Sequence, residues 1–254
     1  HVEGNISFMQ PMPTASMTDT DFEGILFRPP QTGITKFSKH NCIILNGLSW
    51  MAKLGLQLSM PQSTAMRSAG IVVMIEPMLS FYYSTISWHS YGGYLQYAKI
   101  QLNGMYEPWT KALPKVPHKG SAVSYQQQLM IPAIGLGIET SFPYKLVLSS
   151  DFHLTAGIIA SAEDIHHNRN ARFVDIMGGG WAMHGNIRLS WNCLPFFSVF
   201  INLFYQYCIT LEGSSIVYNG ITSMKPHSYT PPNSAGTSLR GCTCSIGIAL
   251  RLGR

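Results

Sequence analysis

Over the second half of the chain, bulky apolar residues recur at every other position. Leu146, Leu148, Phe152, Leu154, Ala156 and Ile158 alternate with Val147, Ser149, Asp151, His153, Thr155 and Gly157. Trp181, Met183, Ile187, Leu189 and Trp191 alternate with Ala182, His184, Asn186, Arg188, Ser190 and Asn192. Phe197, Val199, Ile201, Leu203, Tyr205, Tyr207 and Ile209 follow, interleaved with Ser198, Asn202, Gln206 and Thr210. The last stretch sets Cys242, Cys244, Ile246, Ile248, Leu250 and Leu252 against Gly241, Thr243, Ser245, Gly247 and Ala249. A period of two is the signature of a strand with one bulky apolar face and one small or polar face. Upstream, residues 4–10 read as a short strand fragment. His40 to Ser59, Ser68 to Trp88 and Ala122 to Ile138 read as longer strands, with Ser124, Gln126 and Gln128 on one face of the third. Pro77 marks a bulge or a rim position, because proline cannot donate to a ladder. Phe142-Pro143 and Leu194-Pro195 read as tight turns; residues 11–28, 89–119, 161–170 and 212–236 read as loops. Short turns at one end and long loops at the other form the asymmetry of outer-membrane barrels.

Composition turns that pattern into a fold class. The 254 residues are 46% hydrophobic and only 11% charged, against about 25% charged in ordinary soluble domains. No apolar run approaches the roughly 18 residues that a membrane helix needs; the longest, around Ile71 to Ile75, stops at Glu76-Pro77. Low charge without membrane helices predicts an all-β, antiparallel transmembrane barrel, one domain over residues 1–254, in the outer membrane. A lipocalin-like barrel would carry its charges outside, and those charges are missing. Trp181, Trp191, Tyr205 and Tyr207 fit aromatic girdles at the membrane interfaces. The net charge of +5 is spread thinly with no basic run, which argues against a nucleic-acid partner. Five cysteines without a CxxC pair suggest neither a disulfide framework nor a zinc site. Gly178-Gly179-Gly180 lacks the strand-to-helix setting of a phosphate loop. No cofactor is expected.

One stretch carries chemistry. Asp164 and His166 stand two apart, so on an extended backbone they share a face and the carboxylate can orient the imidazole. Such a pair is the minimal equipment for taking a proton from water near neutral pH. Asp19 and Asp21 repeat the spacing with two carboxylates. His166-His167 with Asp164 lacks a defined third or fourth ligand, so no metal is expected. Strict alternation from Leu146 onward would aim Asp164 and His166 outward with the lipid-facing residues. A bulge between Gly157 and Asp164 is therefore expected, since it would restore the inward aim.

Met17-Thr18-Asp19-Thr20-Asp21-Phe22, the strand from Ala122 to Gln128 continuing through Pro132 to Leu136, and Ala160 to His166 together resemble the omptins, the outer-membrane β-barrel endopeptidases. The resemblance runs from about Met17 to Arg254. It implies a ten-stranded barrel extending beyond the membrane, with a cleft at its extracellular rim. Asp19 and Asp21 would form one wall, with Asp164 and His166 opposite. His166 would be the base, Asp164 its orienter and a water the nucleophile, with peptide or protein substrates cut between basic residues and outer-membrane lipid around the barrel. The departures are specific. About eight strands are visible, as though the chain starts within the family's third. Ala162 stands where a family carboxylate lines the substrate pocket, which leaves Ala162, Glu163 and Glu23 as the substrate-binding set and predicts a relaxed site preference. Gln128 replaces an arginine that helps the family bind lipopolysaccharide, so that dependence is not carried over. The alternative is a non-catalytic barrel, porin or adhesin, on the same scaffold.

Overall fold

The alternating stretches all form strands, and each pairs with the next. The computed structural model describes residues 2–9, 12–21, 36–99, 107, 109–230 and 235–250. Its strands are β1 (Val2–Met9), β2 (Met12–Asp21), β3 (Lys36–Gly55), β4 (Leu58–Ser59), β5 (Val72–Tyr97), β6 (Val116–Pro117), β7 (Ser121–Ser141), β8 (Leu146–Thr155), β9 (Ile158–His166), β10 (Ala171–Gly179), β11 (Ala182–Leu194), β12 (Phe197–Asn219), β13 (Ser228–Tyr229) and β14 (Ala235–Leu250), with one short helix α1 (Thr64–Ser68). Every pairing is antiparallel within a single sheet. β8 and β9 both pair with β7, and β10 and β11 both pair with β12, so each couple is one long strand with a break. β1 and β2 are likewise two lengths paired to β3. Counted so, the described residues form eight long strands, the number that the sequence pattern suggests.

The turns at Phe142-Pro143 and Leu194-Pro195 are where the pattern puts them, the first closed by a 3-10 turn over Pro143–Lys145. Pro77 sits beside the end of the β3 ladder, which closes at Gly55 opposite Met78. That is a rim position without a bulge. The predicted loops at the opposite end are shorter than expected. β5 runs on to Tyr97, β12 to Asn219, and Met12–Asp21 is a strand. A membrane strand needs only about 9–11 residues, so β5, at 26 residues, and β7, at 21, stand well clear of the bilayer. Beyond the lipid both faces are wet, and the alternation that marks a strand in the sequence fades while the hydrogen-bonded ladder continues.

The sheet is inverted relative to a soluble one. Ile134 is 68% exposed, and Leu79, Leu136, Ile138, Phe152, Leu154, Ile187, Leu189, Ile201 and Leu203 share the outer face. Ser80, His153, His184, Ser190, Ser198 and Gln206 are buried on the inner one. With hydrocarbon as the outer solvent, no backbone polar group there can be left unpaired, and the antiparallel ladders meet that demand for the strands between the two edges; among the described residues β1 and β2 pair with β3, and β14 with β12. Among the described residues, contacts cross the interior between strands that are not ladder neighbours. Lys53 Nζ on β3 donates to Asp151 Oδ2 on β8 at 2.7 Å. Gln127 Nε2 on β7 donates to Thr237 Oγ1 on β14 at 2.6 Å. The lower interior is a polar cluster: His153 lies between Ser80 Oγ (2.9 Å) and Asp151 Oδ1 (3.0 Å) and stacks on His184 with centroids 4.5 Å apart. Gly135 makes room for that ring, since a Cβ there would come within 2.3 Å of His153 Nδ1. Above lies an apolar plug of Leu129, Ile131, Ile158, Ala160, Ala162, Met177, Ala182, Cys208 and Leu211. It floors the rim. No helix among the described residues is long and apolar enough to cross a membrane; the strands make the crossing.

Candidate functional site

The aim of Asp164 and His166 depends on one residue. In the β7 ladder Ile134 faces Leu154 on β8, while Met130 faces Ile159 on β9. Four steps on β7 (130 to 134) thus oppose five on its neighbour (154 to 159), so an extra residue is accommodated around Ala156-Gly157. Below the break the odd positions His153 and Thr155 are buried; above it the even positions Ile158, Ala160 and Ala162 are. Asp164 and His166 continue that second set and face inward. The irregularity lies at the near edge of the interval expected for it.

His166 Nε2 lies 3.0 Å from Asp164 Oδ2, with both side chains mostly buried. Phe173, opposite Asp164 on β10, sets its ring edge-on to His166 at 5.2 Å. On the other side Tyr125 of β7 is the cross-strand partner of Asp164 and stacks on Trp88 at 5.0 Å. Burial, and then the charges of Asp175 and Asp164, push the Tyr125 phenol up to about 12. It is a neutral hydroxyl at any working pH. Asp164 Oδ1 is buried with no hydrogen-bond partner among the described residues.

Asp175 was not singled out by the sequence. It stands on β10 directly opposite Ala162 and shares the inner face. The Ser215 hydroxyl of β12 donates to its Oδ1. Burial raises its carboxyl above the ordinary value and the Asp164 charge raises it further, while the Ser215 bond acts in the opposite direction. Asp164 and Asp175 therefore place two interacting carboxylates on one inner wall. An isolated Asp between Phe173-Val174 and Ile176-Met177 gives no sequence signal of this kind, because the carboxylate that it interacts with, Asp164, is eleven residues away across a turn.

The other predicted residues are placed as follows. Asp19 and Asp21 lie on β2 opposite Ser38 and Lys36, at the same end of the sheet as His166. Glu23 lies outside the described residues. Ala162 is 5% exposed and belongs to the apolar plug. Glu163 alternates to the other face of β9, where its carboxylate takes Arg172 at 3.3 Å. Arg172 also reaches the Ser223 carbonyl at 2.7 Å and covers the Tyr218 ring at 4.2 Å. Ser124, Gln126 and Gln128 face outward at this height, and Tyr125 and Gln127 face in. No group of three or more histidine, cysteine or acidic side chains suited to a metal occurs among the described residues.

With this arrangement in view, the chain can be compared with known families: the model described as the Omptin family matches residues 3–252, nearly the whole chain. No curated protein matches the chain.

Proposed function

The chain belongs to the omptin family, outer-membrane β-barrel proteases, and from that premise we propose that it is an outer-membrane endopeptidase working through the Asp164–His166 couple in an extracellular cleft. The observation that carries the reading is the 3.0 Å contact between His166 Nε2 and Asp164 Oδ2 on the inward face above the lipid belt. A carboxylate that accepts from Nε2–H holds the tautomer in which Nδ1 carries the lone pair. Nδ1 is then the basic atom. It takes a proton from water as the water oxygen bonds to the peptide carbonyl carbon, and returns that proton to the amine nitrogen as the C–N bond breaks. The Asp164 carboxylate stabilises the imidazolium between the two events. Asp19 and Asp21 take the opposite side of the water.

Substrates are peptides or proteins. Glu163 is engaged by Arg172 on the outer face, so Asp175 is the carboxylate nearest to the level of Ala162, and it offers a cationic side chain a partner. This makes the cleft less relaxed than Ala162 alone implies. Outer-membrane lipid surrounds the apolar belt, and Gln128 brings no positive charge for lipopolysaccharide phosphates. The test is cleavage of a peptide library by refolded protein, with His166→Ala beside it. General-base catalysis is worth about 10²–10⁴ in rate, so the variant should lose cleavage by that order with the barrel intact. Equal cleavage by both proteins would remove His166 as the base, and cleavage by neither would leave a non-catalytic barrel as the reading.

A further inference from the structure

We propose that His89, Ser124 and His167 form a site for one divalent transition-metal ion, of the zinc or copper kind, on the outer wall of the rim. It is separate from the Asp164–His166 couple and does not depend on proteolysis. Three successive lengths of chain build it. His89 of β5 is the cross-strand partner of Ser124 on β7, and Ser124 is the partner of Ile165 on β9, two residues before His167. Their neighbours Ser90, Val123 and Tyr125 face inward, so alternation turns His89 and Ser124 outward.

Two imidazoles converge on one oxygen. Ser124 Oγ lies 2.9 Å from His89 Nδ1 and 2.8 Å from His167 Nε2. The rings stand 5.8 Å apart at 73°, approaching that point from different directions. Tyr91 stacks on His89 at 6.4 Å and 13°, which orients the first ring. A hydroxyl has one proton, so it can donate to only one of the two ring nitrogens. An ion bonding both nitrogens, at about 2.0–2.1 Å from each, would sit where the two rings now converge. The neutral imidazole is the ligating form. With two nitrogens and a hydroxyl from the protein, the remaining positions go to water. That makes it an open, exchangeable site rather than a structural one. Occupancy would tie β5 and β7 to the turn that follows His166.

The experiment is calorimetric titration of the refolded protein in detergent with Zn²⁺ alone, and with Co²⁺ to read ligand type from its absorption. One ion per chain is expected, weakened at least about tenfold by His89→Gln or His167→Gln. Ser124→Ala should weaken binding less than either histidine variant, since it removes the hydroxyl and keeps both imidazoles. Imidazole NMR signals of His89 and His167 in the unmutated protein should shift together with the first equivalent, a readout that needs no variant to fold. Several results would overturn the site: no binding, undiminished binding in His89→Gln, or loss in His166→Ala without loss in His89→Gln. A thiolate charge-transfer band with Co²⁺ would do so too, because it would assign the ion to cysteines such as Cys242 and Cys244, both free and exposed.

Discussion

Asp175 is the residue on which recognition and stability pull apart. If it receives a cationic side chain, Asp175→Asn should reduce kcat/KM for Lys- or Arg-containing peptides by about tenfold, roughly 1.4 kcal/mol, while sparing neutral ones. Equal loss for both classes would count against that role. The folded state holds the Asp175 proton more tightly than the unfolded chain does, because burial and Asp164 raise its carboxyl. The cost of its charge is thus fully present above the raised value and disappears below the ordinary carboxylate value of about 3.9. Asp175→Asn should therefore raise Tm near pH 7, and the gain should shrink to nothing as pH falls through that window. Melting curves at several pH values test it. If His166 is the base, it needs a free lone pair to accept a proton, so cleavage should be lost in acid and recover as pH rises. A flat profile in a step limited by chemistry would remove His166 as the base.

At the scale of the element, the irregularity at Ala156-Gly157 decides which way Asp164 and His166 point. What matters there is length, not the glycine. A Cβ at Gly157 would meet nothing within 4 Å, so Gly157→Ala should leave activity and stability nearly unchanged. Deleting Gly157 removes the extra residue; the lipid-facing lengths of β8 and β7 then hold the lower register, and β9 above them turns Asp164 and His166 outward. Cleavage should be abolished in a protein that still refolds into a heat-resistant barrel. Gly180 is the contrasting case on the adjacent strand. Its φ is +62° and a Cβ would lie 2.8 Å from Leu211 Cδ2, so Gly180→Ala should destabilise by about 1–2 kcal/mol. Urea titrations of the two alanine variants should separate cleanly.

At the scale of the whole molecule, an ion pair among the described residues spans the lumen, Lys53 with Asp151, itself bonded to His153. Lys53 is 4% exposed at the side chain and Asp151 12%. Removing one partner of such a pair leaves a buried charge and costs about 3–5 kcal/mol. Lys53→Met should lower the unfolding midpoint sharply, and adding Asp151→Leu should recover much of the loss, since the stranded charge goes with it. If the double variant were no better than the single, the pair would be holding the barrel's shape and not just satisfying its own charges.

The amino-acid sequence by itself determined the class of this protein. Hydrocarbon outside a barrel demands a bulky apolar residue at every other position, as in Leu146 to Leu154 and Val199 to Leu203, and leaves little room for charge. It also determined that Asp164 and His166 share a face, because a two-residue spacing does so on any strand. Tertiary structure alone decided which face that is. Ala156, Gly157 and Ile158 are small or apolar enough to suit either parity, so the extra residue becomes visible only when β7 is laid alongside. Pairing also decided how far β5 and β12 reach beyond the membrane, since a ladder wet on both sides needs no alternation. It decided, finally, that Asp175 stands opposite Ala162: the register comes from the turn between β9 and β10, and nothing in either residue's own neighbourhood announces the other.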